Sequence, residues 1–131
     1  MVTRSVDNLL AAARSGIERV TPDSAHALVQ AGALLIDIRP IQQRREFGIV
    51  PDALRIERNV LEWRLDPTSA FRISEATGHD RTVLVLCQQG YASSFAAASL
   101  RELGYARAGD VIGGFDAWCG AGLPVGSEED R

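Results

Sequence analysis

The chain has 131 residues, 46% of them hydrophobic, and a net charge of -3, which is the composition of one globular domain with a core of its own. This charge gives no reason to expect a nucleic-acid or membrane partner, and no stretch approaches the ~18 apolar residues of a membrane span. All 14 basic residues are arginine, which reflects either codon usage or the use of guanidinium groups to bind flat oxyanions.

Segments with the patterns of helices and strands alternate along the whole chain. In chain order we predict helix 6–13, strand 17–20, helix 22–30, strand 33–38, helix 41–47, strand 53–56, helix 59–65, helix 68–78, strand 82–86, helix 94–103, strand 108–112 and a helix that opens at 113. Thr21 and Asn59 are the predicted N-caps, and Gly32 and Gly104 end the helices that precede them. This alternation predicts an α/β sandwich with a mostly parallel sheet of about five strands.

We expect three parts along the chain: a lead-in helix within 1–16, one domain over 17–126, and an acidic tail over 127–131 that frays. The sequence leaves open whether the lead-in helix packs on its own domain or on a neighbouring molecule. Two cysteines are too few for a disulfide framework, and the N-terminus lacks the apolar core of a signal peptide. We therefore expect a cytoplasmic protein.

The most informative residue is Cys87, which directly follows the predicted strand 82–86. A short loop with Gly90 at its centre connects this cysteine to the helix at 94–103. Backbone N–H groups at the start of a helix lack intrahelical partners and carry the positive end of the helix dipole. They stabilise a thiolate and make it a nucleophile, so the position indicates a reactive thiol. The alternative is a buried strand-end cysteine that packs as a small hydrophobic residue.

Four motifs, in this order, resemble those of the rhodanese family of sulfurtransferases. They are a strand that ends in Asp-x-Arg (35–39), an altered form of Glu-Tyr-x-x-Gly-His-Ile-Pro-Gly-Ala (46–53), the strand–Cys–loop–helix around Cys87, and a Gly-Gly-x-x-x-Trp close (111–118). The chain departs from the family pattern at three places. Ile49 replaces the usual His, Asp52 replaces a Gly, and Ala92 stands where many relatives carry Arg, Thr or Ser.

The resemblance implies a rhodanese-like three-layer sandwich, with a central sheet flanked by helices, and a sulfurtransferase that carries sulfur as a persulfide on Cys87. It implies a small sulfur donor such as thiosulfate, a cyanide or thiol acceptor that includes protein thiols, and no cofactor or metal. The loop residues whose N–H groups would converge on the sulfur are Gln88, Gln89, Gly90, Tyr91 and Ala92. Gly90 is otherwise a simple turn residue, and Tyr91 a surface aromatic.

Because Ala92 supplies no side-chain donor, we expect arginines from elsewhere to hold an anionic substrate. The candidates in the following segments are Arg44, Arg45, Arg58 and Arg64, each of which is otherwise a solvated surface residue. Asp37 and Arg39 lie at the end of a parallel strand, where α/β folds place their sites. The resemblance suggests that Asp37 holds neighbouring loops and that Arg39 is structural or close to the pocket.

Two other functions stay open. One is a rhodanese-like domain that binds or regulates without catalysis. The other is a phosphatase or arsenate reductase of the Cys-x5-Arg type, which needs an arginine six residues after the nucleophile, where this chain has Ser93. Trp118 and Cys119 are expected to pack in the core, although Cys119 would act as a resolving thiol if it lay near Cys87. Neither His26 nor His79 has the setting of a catalytic base or metal ligand.

Overall fold

The computed structural model describes residues 2–129. The elements in chain order are α1 (Val6–Ser15), β1 (Glu18–Val20), α2 (Pro22–Gln30), β2 (Leu34–Asp37), α3 (Ile41–Phe47), β3 (Leu54–Arg55), a 3-10 turn (Arg58–Val60), α4 (Leu61–Leu65), β4 (Val83–Leu86), α5 (Ala92–Leu103), β5 (Ala108–Val111) and α6 (Gly114–Gly120). The five strands form one sheet in the order β1-β5-β4-β2-β3, and every pair is parallel. The predicted parallel α/β sheet is therefore confirmed.

The central strands β2 and β4 are buried on both faces, which is why they appear in the sequence as unbroken apolar runs. Alternate side chains enter two separate cores. Leu34 and Val85 pack with residues of α4 and α5 on one face, whereas Leu35 and Leu84 pack with residues of α2 and α6 on the other. Helices thus cover both faces of the sheet, as in a three-layer sandwich.

Helix α1 packs on the outside of α5 and contributes no buried residue. Ser5 caps its N-terminus and accepts a hydrogen bond from the backbone N–H of Asn8. The lead-in helix therefore packs on its own domain. The division of the chain at residue 16 stays a prediction. No helix within residues 2–129 combines the length and the apolar character that a membrane crossing requires.

The predicted helix at 68–78 is wrong, because this segment is a series of turns. The Asp66 side chain accepts hydrogen bonds from the N–H and the hydroxyl of Thr68, and Ser69 accepts one from the N–H of Phe71. Such side-chain bonds give the backbone partners outside a helix. The predicted cap at Asn59 is also wrong, because Asn59 lies inside the 3-10 turn.

The acidic tail contacts the rest of the domain at 127–129, where the structure describes it, and its expected fraying stays a prediction. Gly126 forms an isolated antiparallel bridge with Ile49. Glu128 is 4% exposed and accepts a hydrogen bond from Nε of the buried Arg44, at 3.0 Å. Residues 130–131 of the predicted tail lie outside the described residues.

We expect Glu128→Gln to lower the free energy of unfolding by about 1–3 kcal/mol, because it leaves the buried Arg44 guanidinium without its counter-charge. Urea unfolding of the purified variant measures this loss. The matched control is Glu129→Gln on the adjacent exposed residue, which should change the stability by no more than about 0.5 kcal/mol. Equal stabilities of the two variants would contradict the role assigned to this ion pair.

Candidate active site at the end of strand β4

Cys87 lies at the carboxyl end of β4, where the chain turns into the loop that leads to α5. Its side chain is buried, with 7% exposure. The sulfur accepts hydrogen bonds from the backbone N–H groups of Gly90, at 3.2 Å, and Ser93, at 3.3 Å. Both donors stabilise negative charge on the sulfur, so the loop is built to hold a thiolate or a persulfide anion.

Gly114, at the start of α6, and Gly90, in the loop itself, let that helix approach the Cys87 loop. A Cβ on Gly114 would clash with the carbonyl oxygen of Cys87 and lie 2.8 Å from the carbonyl carbon of Gln88. A Cβ on Gly90 would lie 2.7 Å from the nitrogen of Gly113. The backbone N–H of Phe115 donates to the carbonyl of Cys87 at 2.8 Å. Gly114 and Gly90 therefore need to be glycine, because α6 supports the loop backbone directly.

Asp37 and Arg39 connect the end of β2 to the Cys87 loop. Arg39 is 1% exposed, and its Nε and Nη2 atoms donate to the Asp37 carboxylate. Its Nη1 donates to Oε1 of Gln88 at 2.9 Å, and its Nη2 donates to the carbonyl of Gly48 at 2.8 Å. The guanidinium also lies over the Phe115 ring, 4.1 Å from its centroid. This arrangement fits a loop-supporting role for both residues, which stays a prediction.

A cavity of about 540 Å³ adjoins Cys87. Its polar wall includes the neutral amides Gln43, Gln88 and Gln89, and its apolar wall includes Phe47 and Tyr91. Phe47 and Tyr91 are about half exposed, so aromatic surface borders the entrance. The loop residue Ala92 also faces this cavity. Its volume is sufficient for a small anion next to the sulfur.

Two of the predicted arginines line the cavity, Arg39 and Arg58. The guanidinium of Arg39 already forms an ion pair with the Asp37 carboxylate. Arg58 is 42% exposed at its side chain and donates from Nη1 to both oxygens of Glu62, at 2.9 and 3.0 Å. Burial acts to raise the pKa of Glu62, but hydrogen bonds from Ser99 and Arg58 outweigh it and hold that pKa below its ordinary value.

The other three predicted arginines do not line the cavity. Arg44 is buried against Glu128, and its Nη1 donates to the carbonyl of Arg39. Arg45 is exposed on α3. Arg64 is exposed on α4 and donates to the carbonyl of Phe71 at 2.8 Å. Sequence spacing alone did not separate these three from Arg58, because the distinction depends on which face of each short helix meets the loop.

Sequence reasoning missed the buried carboxylate of Asp110 on β5. Its Oδ2 accepts hydrogen bonds from the hydroxyls of Ser93 and Ser94, at 2.7 and 2.8 Å. Its Oδ1 accepts one from Nε of Arg19 at 2.9 Å. The signal was present in the sequence, since a charged residue in a strand buried along its whole length requires a partner.

Two arginines that the sequence did not single out reach the Cys87 loop. The carbonyl of Gly90 accepts a hydrogen bond from Nη2 of Arg14 at 2.8 Å and another from Nη2 of Arg19 at 3.0 Å. Arg14 lies 5.5 Å from the centroid of the Tyr91 ring. Both arginines come from the first part of the chain, α1 and β1.

Cys119 and the two histidines lie outside this arrangement. Cys119 is exposed at the end of α6. Partial burial of its thiol and the neighbouring Asp116 carboxylate raise the pKa of Cys119. His26 packs edge-on against Trp118, and His79 packs in the same way against Tyr105. No cluster of three or more potential metal ligands occurs among residues 2–129.

The sequence profile of the rhodanese-like domain matches residues 21–121. The chain belongs to the rhodanese-like domain family. A thiosulfate sulfurtransferase, GlpE, of Haemophilus influenzae is 32% identical over 108 residues, which cover 82% of this chain and 93% of that protein. A sulfurtransferase of Allochromatium vinosum is 34% identical over 96 residues, which cover 73% and 80% of the two chains. These relatives confirm the predicted family and the predicted class of activity, sulfur transfer.

The rhodanese fold is also shared by a solved structure from Rhodopseudomonas palustris, described as a protein of unknown function and a possible tyrosine phosphatase. The two structures superpose with a TM-score of 0.85 at 30% identity, over 95% of this chain and 96% of that one. In the present rhodanese domain, the position that Cys-x5-Arg phosphatases fill with arginine is Ser93. The Ser93 hydroxyl donates to Asp110. It therefore provides no clamp for a phosphoryl group.

Proposed function

We propose that this chain transfers a sulfane sulfur from a donor such as thiosulfate to a thiophilic acceptor, through a persulfide on Cys87. The proposal rests on the setting of the Cys87 sulfur. This sulfur accepts hydrogen bonds from two backbone N–H groups and lies at the edge of a cavity large enough for a small anion. A loop of this kind stabilises the anionic sulfur both before and after it takes up the transferred atom.

In the first step, the Cys87 thiolate attacks the outer sulfur of thiosulfate. A bond forms between Sγ and that sulfur, and the S–S bond of thiosulfate breaks with its electron pair leaving on sulfite. The thiolate and the thiosulfate dianion carry three negative charges together, and the persulfide anion and sulfite carry the same three. The N–H groups of Gly90 and Ser93 remain close to the new anion.

In the second step, cyanide or a thiolate attacks the outer sulfur of the persulfide. The bond between that sulfur and Sγ breaks, its electron pair returns to Cys87 as the thiolate, and thiocyanate or a new persulfide leaves. Neither step requires a cofactor or a metal ion. A reducing compartment such as the cytoplasm keeps Cys87 as the free thiol from which the cycle starts.

Arg58 is the residue we assign to the sulfonate end of the donor. It lines the cavity, and its side chain is partly exposed, whereas Arg39 is buried and bonded to Asp37. In the structure, the Arg58 guanidinium donates hydrogen bonds to the Glu62 carboxylate. Because the pKa of Glu62 is held below its ordinary value, the carboxylate stays ionised through the neutral range and competes with an anionic donor.

We therefore expect Glu62→Gln to lower the KM for thiosulfate by about two- to fivefold, a modest effect because the ion pair is partly exposed. Arg58→Ala should raise this KM by about fivefold or more, with a smaller effect on kcat. Steady-state kinetics with thiosulfate as the varied substrate measures both. Glu57→Gln, on an exposed residue of the same segment, is the matched control and should leave the KM unchanged. A KM that rises in Glu62→Gln would contradict this assignment.

A phosphatase is the second candidate, because the Rhodopseudomonas structure at 30% identity is described as a possible one. The two functions separate when thiocyanate formation from thiosulfate and cyanide is measured beside the hydrolysis of p-nitrophenyl phosphate. We expect thiocyanate to form catalytically and phosphate ester hydrolysis to stay at background. The reverse result would overturn the proposed function, and the absence of both activities would favour a binding domain.

A further inference from the structure

The carbonyl oxygen of Gly90 is bound by two guanidinium groups from outside its own loop. Nη2 of Arg14 donates to it at 2.8 Å, and Nη2 of Arg19 donates at 3.0 Å. Gly90 is one of the two residues whose backbone N–H donates to the Cys87 sulfur. Two charged donors on a single backbone carbonyl fix its direction more firmly than a neutral turn hydrogen bond would.

Both guanidiniums are in turn tied to one buried carboxylate. Nε of Arg19 donates to Oδ1 of Asp110 at 2.9 Å, and Nε of Arg14 donates to the hydroxyl of Ser94 at 3.0 Å. That hydroxyl donates to Oδ2 of Asp110 at 2.8 Å. We call Arg14, Arg19 and Asp110 the arginine clamp. Each arginine donates to Gly90 from Nη2 and to this network from Nε, and Nη2 of Arg19 also donates to Oδ2 of Asp110 at 3.4 Å. The planar guanidinium supplies these several donors in a fixed geometry, which a lysine ammonium does not.

The two arginines of the clamp precede the part of the chain that matches the family. The match covers residues 21–121, whereas Arg14 lies in the last turn of α1 and Arg19 lies on β1. Helix α1 has no buried residue of its own. Its last turn nevertheless reaches the loop that carries Cys87, 76 residues further along the chain at Gly90. The N-terminal segment is thus connected to the proposed chemistry through these side chains.

We propose that Arg14 and Arg19 are positioning residues for sulfur transfer, an inference that rests on the proposed function of Cys87. In a trans peptide the C=O and N–H groups point in opposite directions. The clamp holds the Gly90 carbonyl on the outside of the loop, so the following N–H, that of Tyr91, is directed to the concave side where the outer persulfide sulfur forms. Two guanidiniums against one carboxylate also leave a net positive charge beside the loop, which favours the thiolate and the persulfide anion.

Cys87 alkylation by iodoacetamide tests the clamp separately from sulfur transfer, because it depends on the thiolate and requires no sulfur donor. We expect Arg14→Gln and Arg19→Gln each to slow alkylation by about five- to twentyfold near pH 7. The rates should converge as the pH is raised towards 10, because alkaline conditions favour the thiolate in every variant. The rate of persulfide formation from thiosulfate should fall in parallel near pH 7. Both series are measured on the full chain with Cys119→Ser as the background, so that Cys87 is the only thiol.

Arg101→Gln is the matched control. Arg101 lies on α5 where α1 packs, and its guanidinium donates to the carbonyls of Gly16 and Ala106 rather than to the Cys87 loop. It should leave both rates within about twofold of the parent protein. A role of Arg14 and Arg19 confined to anchoring α1 would give the same small effect in all three variants, and that result would overturn the proposal.

Two further outcomes are decisive. Faster alkylation of the Arg14 and Arg19 variants near both pH values would mean that the substitutions merely open the loop around the buried thiol, and would overturn the proposal. If instead the parent protein took up sulfur from no donor, while alkylation near pH 7 still slowed in these two variants, the failure would lie with the proposed function. The action of the clamp on the Cys87 thiol would then stand.

Discussion

Cys87→Ser is expected to lose thiosulfate:cyanide sulfur transfer by more than about a thousandfold, with its unfolding midpoint nearly unchanged. A serine hydroxyl stays protonated at neutral pH and does not form the persulfide, so no intermediate can carry the sulfur. The fold should tolerate the change, because the Cys87 side chain is small and the two N–H groups that bond its sulfur can bond the serine oxygen instead. Thiocyanate formation and thermal unfolding are the two measurements.

Cys119→Ser is the matched control for that experiment. Cys119 is exposed, and its pKa is raised by partial burial and by Asp116, so it is a poor source of thiolate near neutral pH. The control should keep at least about half of the activity. Loss of activity in Cys119→Ser but not in Cys87→Ser would mean that Cys119 carries the sulfur, which would contradict the role proposed for Cys87.

Gly114→Ala should disrupt the active-site loop from the side of α6. Gly114 has a φ of +61°, and a Cβ there would clash with the carbonyl oxygen of Cys87 and lie 2.8 Å from the carbonyl carbon of Gln88. These are backbone atoms, so no flexible side chain can move aside. We expect the free energy of unfolding to fall by about 3 kcal/mol or more and the sulfur-transfer rate to fall by about tenfold or more.

Gly122→Ala separates this close approach from the backbone conformation alone. Gly122 also has a positive φ, +73°, but no atom lies within 4 Å of the position that a Cβ would take. Alanine there should cost about 1 kcal/mol of stability and leave the activity unchanged. Urea unfolding and initial rates compare the two variants. Equal losses in both would mean that the contact between α6 and the loop contributes nothing beyond backbone strain.

The sheet could be predicted because its central strands carry their own signal. Residues of β2 and β4 are buried on both faces, so each appears in the sequence as an apolar run bounded by polar or turn residues. The segment 68–78 had no such signal. Its turns are held by backbone hydrogen bonds to the side chains of Asp66 and Ser69. The composition of the segment is also compatible with a helix, so composition alone does not predict these turns.

The nucleophile could be predicted from the sequence, whereas its surroundings could not. Cys87 stands out because a strand, a Gly-containing loop and a helix follow one another within a few residues. Arg14 and Arg19 reach Gly90 from 76 and 71 residues away, and local pattern holds no information on contacts of that separation. Asp110 was the available clue, since a carboxylate in a buried strand implies a cation that packs against it.

The most direct test of Cys87 as the sulfur carrier is the intact mass of the full chain after treatment with thiosulfate and removal of the excess donor. We expect a gain of one sulfur atom, located on Cys87 by peptide mapping, and a return to the original mass on addition of cyanide with release of thiocyanate. A sulfur atom found on Cys119, or no gain in mass from thiosulfate or any other sulfane donor, would contradict this role of Cys87.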